Sequence, residues 1–129
     1  MATWDDLSNE ALRAAKALQK AGYYRGCVNR AYYTVYCAAA SRVVAKGVTF
    51  RHGWQNPAHE QLPGLLRNRC SKISKLNKRR LVQTLRRLRI MRTDADYRPR
   101  TTVDQTLARN ALRDASSFLD IMEKVSWSS

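Results

Sequence analysis

This chain of 129 residues is poor in the residues that make turns, sheets and stapled scaffolds: five glycines, three prolines and three cysteines with no C-x-x-C pair. Scarce Gly and Pro beside long runs of Ala, Leu, Arg and Lys favour helix over strand, so the expected fold is all-α, an up-and-down bundle of four to five helices. Cys27 and Cys37 sit too far apart along one helix to bond each other, and with Cys70 they make an odd count, which argues for free, packed thiols. Histidine is scarcer still. His52 and His59 are not flanked by a cluster of carboxylates or cysteines, so neither a metal site nor another cofactor is expected. No stretch approaches the ~20 apolar residues of a membrane span. The N-terminus carries Asp5, Asp6 and Glu10 instead of a basic flank and an apolar run, so a cytoplasmic protein is expected. At 44% hydrophobic, the chain can bury one core, and a single domain over 1–129 is the natural division.

Another shortage is local. Residues 65–100 hold thirteen Lys and Arg against two Asp, so this segment carries +11 of a net +14. Acids that normally alternate with bases on a solvated helix are missing, and the self-repulsion calls for an anionic partner.

Hydrophobic spacing divides the chain into helices. The first should start after Thr3 as cap, with Asp5 and Asp6 complementing the helix dipole and Leu7, Ala11, Ala14, Ala15 and Leu18 facing inward, and should end at Gly22. The second runs from Tyr24 to Ala45 on Val28, Ala31, Tyr32, Val35, Ala38, Ala39 and Val43, and is the expected central helix; Gly26 weakens it unless another helix approaches closely. Residues 46–57 read as a loop whose Phe50, Arg51, His52 and Trp54 pin it to the domain or, less commonly, meet a base. Asn56 and Pro57 should open a third helix through Leu62, Leu65 and Leu66, with Pro63 in its first turn or breaking it. Asn77 should cap a fourth on Leu81, Leu85, Leu88 and Met91. Thr101 or Thr102 should cap a fifth on Leu107, Ala108, Ala111, Leu112, Ala115, Phe118, Leu119 and Met122.

On the fourth helix Arg79, Arg80, Arg86, Arg87 and Arg89 fall outside the leucine stripe, with Lys72, Lys75 and Lys78 before them. Such a face suits phosphate backbone, because counterion release rewards each contact without base recognition. Two polar stretches stand apart from it: Asn29-Arg30-Ala31-Tyr32-Tyr33 in the second helix and Arg92-Thr93-Asp94-Ala95-Asp96-Tyr97 in the fourth. Each places charge in a helix buried on one side, so the two should complete each other, with Arg92 and Asp96 paired four apart. A structural network joining the helices is preferred here over a catalytic role.

Together these stretches resemble those of the HEPN family, and the similarity extends from Leu7 to about Met122. The resemblance implies a small helical bundle that commonly dimerises and often serves prokaryotic toxin–antitoxin or antiviral systems. Many members cut RNA without a metal, through an Arg followed after four to six residues by a His. This chain departs from that signature: the positions that would serve His52 are Ala45, Lys46 and Gly47, and those that would serve His59 are His52, Gly53 and Trp54. Only the structural motif residues Asn29, Arg30, Tyr33, Arg92, Asp96 and Tyr97 carry over.

The leading expectation is therefore a non-catalytic subunit or accessory of a defence or toxin–antitoxin system that binds RNA or another nucleic acid through the basic helix. It would be a homodimer or part of a larger complex; the small helical subunits of CRISPR effectors offer one such setting. One alternative is a metal-independent ribonuclease in which Arg30, Arg92, Tyr97 and His59 hold phosphate and move a proton. Another is a protein partner of a minimal nucleotidyltransferase.

Overall fold

A computed structural model describes residues 1–48, 50, 57–70 and 72–125, which form five helices and, among the described residues, no strand. They are α1 (Trp4–Lys20), α2 (Tyr24–Ala45), α3 (Leu62–Arg69), α4 (Lys75–Tyr97) and α5 (Gln105–Lys124). The expectations on Arg51, His52, Trp54 and Asn56 lie outside the described residues.

The central helix is α2, which touches each of the other four. Its middle is enclosed: every residue from Thr34 to Ala40 is buried, as a helix surrounded by neighbours requires. Its pairings fix the topology. Ser8 donates to the Thr34 carbonyl at 2.7 Å, and Leu18 packs on Gly26, so α1 runs antiparallel to α2. Tyr33 meets Arg92 and Arg25 meets the carbonyl of Ala95, so α4 is antiparallel to α2 as well. Cys27 lies at Ala108, while Ala38 and Arg42 share a cavity with Leu119 and Met122, so α5 runs parallel to α2. The bundle is thus up-and-down in its long helices, with short α3 packed on α2 and α4. Tyr32, Leu62, Leu66, Leu81, Leu85, Leu88 and Phe118 fill the core, each contributing about 1.5–3 kcal/mol by leaving water.

Thr3 caps α1 in a capping box with Asp6, in which the Thr3 hydroxyl accepts from the Asp6 N–H at 3.0 Å and the Asp6 carboxylate accepts from the Thr3 N–H at 2.9 Å. Gly22 and Gly47, which end α1 and α2, have φ of 84° and 72°, where a side chain is strained. Gly26 admits α1: a Cβ there would lie 3.2 Å from Leu18 Cδ1.

Several expected starts and faces differ. Leu7 points outward at 40% exposure, and Ser8 takes the inward position because its hydroxyl finds the Thr34 carbonyl. The third helix begins at Leu62 rather than after Asn56. Pro57 is buried in a non-helical approach, its carbonyl accepts from the Tyr36 hydroxyl at 2.7 Å, and Pro63 falls at the helix start, where its missing N–H costs nothing. Ser74, and not Asn77, caps α4; its Oγ accepts from the Asn77 N–H at 3.2 Å. Asp104, and not Thr101 or Thr102, caps α5 by accepting from the Leu107 N–H at 2.9 Å.

Candidate nucleic-acid interface

Where α2 and α4 cross, the two polar stretches meet. Asp96 accepts from Asn29 Nδ2 at 2.8 Å and from Arg92 Nε at 3.0 Å, both on Oδ2. Asn29 Oδ1 in turn accepts from Arg30 Nε at 2.8 Å, and Arg92 donates to the Tyr33 hydroxyl at 3.2 Å. The guanidinium carbons of Arg30 and Arg92 stand 4.8 and 5.5 Å from the Tyr33 ring centre, and Arg92 also lies 5.4 Å from the Tyr97 ring. All six motif residues are therefore brought together.

The setting differs from the buried charge expected. The side chains of Arg92 and Asp96 keep 16% and 23% of their surface, and Tyr97 keeps 67%. Opposite charges four residues apart can pair at the edge of a bundle without being sealed in, so this junction faces solvent.

His59, from the turn before α3, joins the same cluster. Its Nδ1 lies 2.6 Å from the Tyr32 hydroxyl, and its ring centre is 4.7 Å from that of Tyr36 and 6.0 Å from that of Tyr33. Burial, and then the positive fields of Arg92 and Arg89, push the imidazole below its ordinary pKa, with Glu60 opposing. Burial pushes the Tyr32 phenol up, so it stays protonated. Hence the Tyr32 O–H donates to Nδ1 of a neutral His59, whose Nε2 then carries the ring proton as an N–H donor. Sequence spacing alone had no means of placing His59 beside Arg92.

Along α4 the basic residues divide. Lys75, Arg79, Arg80 and Arg86 are exposed, as is Lys72 in the preceding turn; Lys78 and Arg89 are half-buried. Arg87 is occupied, its Nε 2.9 Å from Asp114 Oδ2 on α5. Apolar side chains interleave with these cations: Leu76, Ile90 and Tyr97 are 53%, 64% and 67% exposed. That mixture of charge and apolar surface differs from a merely solvated helix.

One anchoring residue escaped the sequence reading. Arg25, on the first turn of α2, donates through Nη1 to the carbonyls of Asp94, Ala95 and Arg98 and through Nη2 to those of Pro99 and Thr101, at 2.6–3.3 Å. It gathers the carbonyls at the end of α4 and in the turn that follows, and offsets that end's negative dipole. Its only local signal is a lone cation ahead of the Asn29 stretch. The three cysteines are buried, and burial pushes the Cys27 and Cys37 thiols up to about 11 and Cys70 in the same direction, so they are packed, unreactive groups.

The arrangement defines a class: an all-α bundle whose central and fourth helices are joined by an Asn-Arg-Tyr and Arg-Asp-Tyr polar cluster. The HEPN domain family model matches residues 1–125, and the chain belongs to that family. A UPF0332 protein of Thermotoga maritima is 27% identical over 122 residues, covering 95% of this chain and 87% of that protein. Membership supports, at its most specific, a nucleic-acid-related role of the defence or toxin–antitoxin kind. Among the described residues, no helix is long and apolar enough to cross a membrane.

Proposed function

We propose that residues 1–129 act as one domain that binds RNA without cutting it, by gripping the phosphate backbone along the outer face of α4, as a subunit or accessory of a defence or toxin–antitoxin system. The observation that carries this reading is the exposed series Lys75, Arg79, Arg80 and Arg86. None of these side chains has a carboxylate partner among the described residues, whereas neighbouring Arg87 does. Released counterions make such a series a backbone reader of any sequence. Purification from the native host should recover bound RNA, and that RNA should stay full-length on prolonged incubation with the protein. A preparation free of nucleic acid would remove the proposal.

A second reading has one observation in its favour: His59 and Arg92 both flank Tyr33. A neutral imidazole that presents its Nε2–H beside a guanidinium is a set that can give a proton and hold a phosphate, as in a metal-independent ribonuclease. RNA cleavage that disappears on Arg92→Ala, in a protein that still folds, would put this reading first.

A further inference from the structure

A cavity of about 410 Å³ opens between the start of α3 and the last turns of α4, on the side of Arg86. Its volume is that of a small-ligand site and suits a mononucleotide. Its walls combine three kinds of surface. Arg86, Arg89 and Arg98 supply positive charge; Pro63 and Ile90 supply an apolar wall; Glu60 and Asp94 supply acceptors. Arg98 is engaged by Asp94 at 3.5 Å, whereas Arg86 and Arg89 have no carboxylate partner among the described residues. Ile90 is 64% exposed and turns apolar surface toward the cavity beside these arginines.

We infer that this cavity receives one unpaired nucleotide of the bound RNA, and the inference rests on the backbone reading above. Arg86 lies seven residues, about 10 Å, beyond Arg79 on the same face, so a strand tracked by Lys75, Arg79 and Arg80 arrives at the cavity mouth. There Arg86 and Arg89 hold the phosphate, a base lies against Ile90 and Pro63, and the carboxylates of Glu60 and Asp94 accept from ribose hydroxyl or base N–H groups. A base can enter only when it is not paired, so the cavity makes the protein prefer single-stranded over double-stranded RNA, which phosphate contacts alone do not. A free nucleotide offers the same chemistry, and competition separates the two sources.

The test uses the full chain and its exposed Ile90, whose replacement leaves the core intact. Adding 5′-AMP should shift the Ile90 δ-methyl resonance, and inorganic phosphate at the same concentration, which lacks the base, should shift it much less. A single-stranded 12-mer RNA should displace the AMP. Ile90→Ser should weaken the single-stranded 12-mer about fivefold to tenfold and leave duplex RNA of that length, and the salt dependence of both, unchanged. Equal losses on single strand and duplex, or no loss on either, would overturn the cavity assignment while salt-dependent RNA binding preserved the backbone reading. An Ile90 shift by AMP that the 12-mer does not reverse would also overturn it, in favour of a free nucleotide. Absence of affinity for any RNA would overturn both.

Discussion

Replacing Arg25 by Ala removes five donor contacts at once, three of them, to the carbonyls of Ala95, Pro99 and Thr101, at 3.1 Å or less. A hydrogen bond to a charged group is worth about 1.5–3 kcal/mol net. The guanidinium is only half-buried, and the freed carbonyls near Pro99 regain water, so the bonds do not add in full. A loss of about 2–3 kcal/mol is expected, which for a chain of this size lowers Tm by roughly 10 °C. Arg25→Lys should recover less than half, because one ammonium cannot span carbonyls on both the helix end and the following turn as a planar fork does. Calorimetry gives the magnitude, and amide exchange gives the place. The Arg98 N–H, bonded to the Asp94 carbonyl at 3.1 Å, and the Thr101 N–H, bonded to the Arg98 carbonyl at 3.1 Å, should lose protection before the rest of α4. A Tm within about 2 °C of wild type for Arg25→Ala would refute the anchoring role.

Three other outcomes are expected. Asp96→Ala should cost about 2 kcal/mol, because it strands Arg92 beside Arg89, against about 1 for loss of the α5 cap in Asp104→Ala; equal denaturant midpoints would show that the junction contributes no more than a cap. His59 is held below its ordinary pKa in the folded state, so the unfolded chain binds the extra proton first as pH falls. Stability attributable to it is therefore full above about pH 6.5 and lost on acidification through the folded pKa, and His59→Gln should flatten the stability profile between pH 7 and 5 relative to wild type. A thiol reagent should label none of the three cysteines rapidly in the native protein and all three after denaturation; fast native labelling of Cys27 or Cys37 would show that the bundle opens at α2.

The long helices were legible because their apolar residues recur at helical spacing: Leu81, Leu85 and Leu88 are buried as the stripe required, and α2 is the central helix that its series from Val28 to Val43 indicated. Helix starts were less legible because several residues can cap. Ser74 lies three positions before Asn77 and Asp104 two after Thr102, and the choice depends on which hydroxyl or carboxylate the tertiary turn aims at an open N–H. Leu7 and Ser8 exchanged roles for a similar reason, since a carbonyl on α2 was available to one and not the other. The Asn29–Arg30–Tyr33 and Arg92–Asp96–Tyr97 cluster was recognisable as a pair, but spacing carries no information on how much water reaches it. His59 could be grouped with Arg30, Arg92 and Tyr97 on its chemistry but not by spacing, and Arg25 was invisible, because each acts across a long stretch of chain, from His59 to Tyr32 and from Arg25 to Thr101.

The salt dependence of RNA binding is the most direct measurement of whether α4 is a phosphate reader. For a single-stranded RNA of random sequence, log affinity should fall linearly with log salt concentration. In the variant carrying Arg79→Gln, Arg80→Gln and Arg86→Gln, the slope should shrink by about 2, or ~0.7 for each of three lost contacts, with the fold intact. Arg87→Gln should leave the slope nearly unchanged, since that side chain is already held by Asp114. A triple variant that binds with the wild-type affinity and slope would contradict the assignment of this face.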